Sequence, residues 1–178
     1  MSKKHNFLII VMHVIAWLIF IGLSIEAGGL IVNFIFSIFK PEFVSKLYQK
    51  MDLSQVYQQS KFAFYSMYSF VLVISVLKAL LFYWVILLLL KLDLSKPFSS
   101  IVAKKITQIS YFTFSIGILS SIAKKITEVL TEKGYEIKVL EQFWVDSSAF
   151  ITMSAIIYII SIIFNRGIEL QEENELTI

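Results

Sequence analysis

The chain has 178 residues, of which 57% are hydrophobic, and its mean hydropathy of +0.77 is too high for a soluble domain of this size. It contains no cysteine, which excludes disulfides and thiolate metal sites. The net charge of +3 is small and its lysines are scattered over the connections, so nucleic-acid binding is not expected.

Four apolar segments predict an all-α, polytopic membrane protein, folded as a bundle of four transmembrane helices in a single domain, residues 1–178. The predicted helices cover about 7–39, 62–90, 106–123 and 144–164, and a short polar tail follows at 165–178. Four crossings place both termini on the same side of the cell membrane. The four lysines in the segment Lys91–Lys105 favour the cytoplasmic side for that end.

The first segment carries a single carboxylate, Glu26, near its middle. Gly22, Glu26, Gly29 and Asn33 follow one another at helical spacing and therefore share one face. Lipid disfavours such a small, polar face, whereas a neighbouring helix fits it. We therefore expect Gly22, Gly29 and Asn33 to form a helix-packing surface.

The second segment carries Lys78, which lies about 20 Å along the helix from Lys91. Glu26 and Lys78 have opposite charges on consecutive helices, so we predict an intramembrane charged pair joined by a salt bridge. A protonated Glu26 is one alternative, and a helix shift that carries one charge to the headgroups is another. The pair has two interpretations, a proton- or ion-coupled switch or a structural contact that sets helix register.

The third segment lies between two copies of the pentapeptide AKKIT, at 103–107 and 123–127. The lysine pairs enclose about 27 Å of helix, which matches a hydrocarbon core with a cationic anchor at each end. Between them the helix is rich in serine and threonine, so it is expected to face other helices.

The connections carry weaker signals. Apolar residues at helical spacing over Glu42–Met51 predict a short helix on the membrane surface, and alternation over Tyr135–Leu140 is a weak strand signal. Pro97 predicts the first turn of the third helix, and Trp144 is expected at the membrane interface.

Several stretches resemble one bacterial family. They are IFIGLSIEAGGLI around Glu26, LKALLFY around Lys78, KLDLSKPFS, and the terminal IFNRGIELQEENELTI. They are similar to the domain-of-unknown-function 2975 family of small four-helix membrane proteins. Its members are often encoded beside a small Cro-like helix-turn-helix regulator, so the resemblance implies a soluble partner of that kind. The C-terminal pattern is the specific part, and it marks a docking tail with the residues Arg166, Glu169, Gln171, Glu173, Asn174 and Glu175. A frayed chain end is the alternative interpretation of that tail.

No motif of a hydrolase, a metalloprotease or a nucleotide-binding loop is present, and His5 and His13 are the only imidazoles. We therefore expect no enzyme, no catalytic residue, no metal and no cofactor. The expected function is that of a non-enzymatic regulator or sensor in the lipid bilayer, working with the helix-turn-helix partner. The alternative is a small transporter or channel that uses Glu26 and requires a homo-oligomer.

Overall fold

The computed structural model describes residues 3–48, 51–93 and 98–175. Four long helices dominate it: α1 Lys3–Phe39, α3 Lys61–Lys91, α4 Ser100–Glu132 and α5 Ser147–Glu175, with the short helix α2 Ser54–Gln59 between α1 and α3. Two 3₁₀ helices, Pro41–Ser45 and Lys138–Phe143, lie in the connections. All four long helices are long and apolar enough to cross a membrane, which confirms the predicted all-α, four-span fold.

The long helices pack in chain order, α1 against α3, α3 against α4, and α4 against α5. The Phe20 ring of α1 contacts Tyr83, whereas the Tyr68 hydroxyl donates a hydrogen bond to the Leu30 carbonyl oxygen at 3.2 Å, so α1 and α3 are antiparallel. The short connections make α3 and α4, and α4 and α5, antiparallel as well. Consequently α1 begins and α5 ends at the same end of the bundle.

Helix α4 is the central helix, as its polar composition predicts. In its most apolar window 44% of the residues are buried, against 6% for α1. Small residues allow a close approach to α5: a Cβ atom on Gly117 would lie 2.7 Å from Cγ1 of Ile151. The Ser110 hydroxyl also donates to the Ser154 carbonyl oxygen of α5 at 2.9 Å. Close backbone contact and interhelical hydrogen bonds therefore hold this pair together.

Helices α4 and α5 extend beyond their predicted ends. Helix α4 begins six residues before the predicted 106–123, where the Ser99 hydroxyl accepts a hydrogen bond from the Val102 amide at 3.3 Å. It ends at Glu132, and Gly134 then turns the chain at a φ of 86°. Helix α5 continues to Glu175, so the predicted polar tail is helical over its described residues. The predicted first turn at Pro97 lies outside the described residues.

Part of the main buried core lies at the bundle end opposite the termini. There two connections, 41–59 and 133–146, which we call the cap, pack against the helices. Nine apolar side chains of the cap are at most 4% exposed: Val44, Leu47, Met51, Leu53, Val56, Ile137, Leu140, Phe143 and Trp144. They form one cluster with residues of the long helices, among them Phe64, Met67 and Tyr68 of α3. The connections thus extend the apolar core of the helices.

The cap overturns two sequence-based expectations and buries a tryptophan expected at the membrane interface. In place of the predicted surface helix over Glu42–Met51 a 3₁₀ helix ends at Ser45, and Val44, Leu47 and Met51 are buried in the cap. The weak strand signal over Tyr135–Leu140 is wrong, since the 3₁₀ helix Lys138–Phe143 begins inside it. Trp144 is 1% exposed because it packs inside the cap, and its depth relative to the membrane interface stays a prediction. Residues that are buried against a segment far away in the chain show no periodic pattern in the local sequence. The spacing of apolar residues therefore suggested a surface helix and a strand instead.

Candidate functional site

Lys78 lies where α3 passes the cap. Its ammonium Nζ donates a hydrogen bond to the carbonyl oxygen of Phe143 at 3.1 Å, and it lies 5.8 Å from the centre of the Phe150 ring. Phe143 is the last residue of a 3₁₀ helix, and carbonyl groups at helix ends need partners from outside the helix. Lys78 therefore supplies a charged donor to the segment that leads into α5.

Two carboxylates act on this lysine. Glu26 of α1 and Asp146, the residue before α5, both interact electrostatically with the Lys78 ammonium. In the described part of the chain, no nitrogen–oxygen contact of 4 Å or less joins Glu26 to Lys78. The structure thus makes Glu26 and Lys78 neighbouring charges without a salt bridge. The direct hydrogen bond of Lys78 is to a backbone oxygen, that of Phe143. The formal charge of the three side chains is −1.

The level of Lys78 in the bundle explains these partners. Lys78 is far from Lys91 along α3, but antiparallel packing sets it level with Phe143 and Phe150, at the start of α5. The apolar run of α5 begins after Asp146, so Lys78 lies level with the start of that run. Distance from Lys91 alone overestimates how far Lys78 lies from polar groups. A backbone acceptor and Asp146 were missed because neither has a sequence motif.

The predicted polar face of α1 is only partly used. A Cβ atom on Gly29 would lie 2.6 Å from Cδ2 of Tyr48, so this glycine lets the Tyr48 ring lie against the α1 backbone. Gly22 is exposed and has open space where a side chain would be. The Asn33 amide donates to the Gly29 carbonyl oxygen of its own helix at 2.8 Å. The stripe therefore meets the cap at Gly29, and its Glu26 lies within electrostatic reach of Lys78 on α3.

The end of α5 is a charged helix, and we call residues 166–175 the tail helix. Arg166 and Glu169 form an exposed ion pair at 2.6 Å, and the Asn174 amide donates to the Leu170 carbonyl oxygen at 2.9 Å. Glu172 and Glu173 are exposed, and Gln171 is half-buried. Glu175 is the last described residue, so the end of the family pattern, at Leu176 and Thr177, lies outside the described residues. The predicted docking residues thus share one helix with the membrane span.

The cap carries a polar cleft of about 520 Å³ lined by Asp52, Thr131, Tyr135, Glu136 and Lys138, among others. The Asp52 carboxylate accepts hydrogen bonds from the hydroxyl and the amide of Ser54, at 2.6 and 2.9 Å. These bonds favour the ionised form and lower the pKa of Asp52 below its ordinary value. Across the described ranges, no three His, Asp or Glu side chains are grouped so that they could hold one metal ion.

Comparison with known proteins finds no matching curated protein and no matching solved structure. One family model matches residues 41–178, which include Lys78, the cap and the tail helix. The matched part begins after α1, so the resemblance around Glu26 lies outside it. The chain belongs to the family described as "Protein of unknown function (DUF2975)".

Proposed function

We propose that the protein is a non-enzymatic membrane regulator that binds a soluble DNA-binding partner through the tail helix. The observation that carries this proposal is the continuity of α5. Its 29 residues span about 44 Å, whereas crossing the hydrocarbon requires about 30 Å. The same rigid helix therefore begins beside the cap and projects beyond the membrane as the tail helix.

The charge of the tail helix supports a basic partner. It carries the glutamates Glu169, Glu172, Glu173 and Glu175 against the single cation Arg166. Helix-turn-helix proteins carry a basic surface for the phosphate backbone of DNA. An acidic helix complements such a surface, and binding there would hold the partner at the membrane in competition with DNA.

The contacts of Lys78 support the proposal that binding of the partner at the tail helix is regulated. Lys78 holds the Phe143 carbonyl oxygen just before α5 and is attracted by Asp146 at the first turn. A change in the cap or in the surrounding bilayer that breaks these contacts would release the start of α5. Because α5 is continuous, a shift or rotation at that end reaches the tail helix.

Position-specific photo-crosslinking in native membranes tests the proposal. A photoreactive residue at Glu172 should capture a small DNA-binding protein, and the same residue at Glu132, exposed at the cap end of α4, should not. Capture of the same proteins at both positions would overturn the proposal. Self-crosslinks at both positions, together with ion flux that stops in Glu26→Gln, would instead support an oligomeric transporter.

A helix-breaking substitution provides the second test. Leu170→Pro removes a helical hydrogen bond and interrupts the tail helix at a cost of about 3 kcal/mol, whereas Leu170→Ala keeps the helix. We expect the proline variant to lose capture of the DNA-binding protein while the alanine variant retains it, with equal amounts of both chains in the membrane. Undiminished capture by Leu170→Pro would show that the helical tail is not the binding element.

A further inference from the structure

An apolar groove of about 440 Å³ follows one face of α4 between α3 and α5. Its walls include Leu81 and Val85 of α3, Ile109 of α4, and Phe150 and Ile157 of α5. The volume is within the range of small-molecule sites, about 300–1,000 Å³. All of these residues belong to helices that are long and apolar enough to cross a membrane, so in a bilayer the groove would face acyl chains.

The groove is charged at one end only. Asp146, at the cap end, is the ionisable residue among those that line it, and its side chain is exposed. Lys78 lies nearby over the Phe150 ring, but its ammonium is engaged by the Phe143 carbonyl oxygen. With Glu26 included, this end has a formal charge of −1. A carboxylate accepts hydrogen bonds but donates none, so an occupant with a cationic donor group would complement it.

We propose that the groove binds one phospholipid with a primary-amine headgroup. An alkyl chain fills the apolar part along α4, where it replaces the less regular contacts of bulk lipid. The headgroup ammonium donates to the Asp146 carboxylate at the hydrocarbon boundary, a charge-assisted hydrogen bond. The site thus combines the two features that define amphiphile recognition, a fitted apolar wall and one placed charge.

Lipid retention by the full chain tests this assignment. The protein is purified in detergent, equilibrated with phosphatidylethanolamine and phosphatidylglycerol of identical acyl chains, and analysed by native mass spectrometry. We expect one phosphatidylethanolamine per chain, retained about tenfold over phosphatidylglycerol, and we expect Asp146→Asn to abolish this preference. Equal retention of the two lipids, or a preference for phosphatidylglycerol, would overturn the proposal.

A pair of matched substitutions separates the groove from general lipid contact. Ala149→Phe places a ring in the groove, and Ala155→Phe places the same ring in a different cleft of the α4–α5 pair, beside Tyr158. Both alanines are exposed, so neither ring meets a packed core. Only Ala149→Phe should lose the bound lipid. Loss of the bound lipid in both variants or in neither would overturn the site, as would a change in self-association without lipid loss. Because the measurement does not involve capture of the DNA-binding partner, its outcome is separate from that of the proposed function.

Discussion

At the scale of single residues, Lys78 is held by a backbone carbonyl group as well as by neighbouring carboxylates. Its direct contact is the Phe143 carbonyl oxygen, and the carboxylates of Glu26 and Asp146 act over longer distances. Removing the lysine leaves a carbonyl group without this donor at the start of α5. Removing Glu26 leaves the hydrogen bond intact. The two members of the sequence-predicted pair should therefore differ in their contribution to stability.

Lys78→Met should lower the free energy of unfolding by about 1.5–3 kcal/mol, the range for a hydrogen bond to a charged group. Glu26→Gln should cost less than about 1 kcal/mol, because no direct ion pair is lost. Thermal unfolding in micelles, with the double variant included, measures both effects and their coupling. A coupling energy as large as the whole effect of Lys78→Met would restore the direct salt bridge as the main interaction.

Asp52 provides a pH-dependent contact in the cap. Because the Ser54 bonds lower its folded-state pKa below the ordinary 3.8, they stabilise the fold above that value. The stabilisation is lost as the pH falls through the lowered pKa. We expect Ser54→Ala to reduce the unfolding temperature slightly at pH 6, and the difference from the native chain to shrink as the pH falls below 3.8 and Asp52 takes up a proton. A difference that does not shrink would show that the serine acts through other contacts.

At the scale of elements, hydropathy predicted the ends of α1 and α3, because these two helices end where their apolar sequence ends. The predicted segments 7–39 and 62–90 differ by a few residues from α1 and α3. Helices α4 and α5 continue through polar turns, because backbone hydrogen bonding does not stop where apolar side chains stop. The two ends of α4 are set by Ser99 and Gly134, through capping and a left-handed turn, rather than by hydropathy.

Gly117 tests the packing of α4 against α5. Gly117→Ala would place its Cβ 2.7 Å from Cγ1 and 2.9 Å from the backbone nitrogen of Ile151, so the helices must separate. We expect a loss of about 1–3 kcal/mol in unfolding free energy, as for other overpacked cores. Gly22→Ala is the matched control, since open space surrounds that position and alanine favours a helix. Equal effects of the two substitutions would contradict the close contact.

At the scale of the whole molecule, the sequence predicts the number of spans but not the cap. Each apolar residue of segment 41–59 has a plausible local role at a membrane surface. Their burial becomes evident only when segment 133–146, far along the chain, is placed beside them. The same limitation applies to the Lys78 site, whose acceptor is a backbone atom of that second segment. Non-local contacts of this kind have no periodic signature.

The arrangement predicts opposite accessibility for the cap and the tail helix. The chain has no cysteine, so Lys133→Cys and Glu172→Cys each introduce a single thiol at an exposed position. With the termini in the cytoplasm, a membrane-impermeant maleimide should label Lys133→Cys in intact cells and Glu172→Cys only after permeabilisation. The reverse pattern would place the tail helix outside and remove access to a cytoplasmic partner.

The shared core of the cap also bears on biogenesis. Segments 41–59 and 133–146 emerge from the ribosome separately, and each must cross to, or stay on, the same face of the bilayer before they can meet. A chain in which one helical hairpin inserts upside down holds the two segments on opposite faces and leaves Phe143, Trp144 and their neighbours without a place to pack. Such a chain presents apolar surface to quality-control proteases. Closure of the cap therefore requires that both helical hairpins insert with the same orientation.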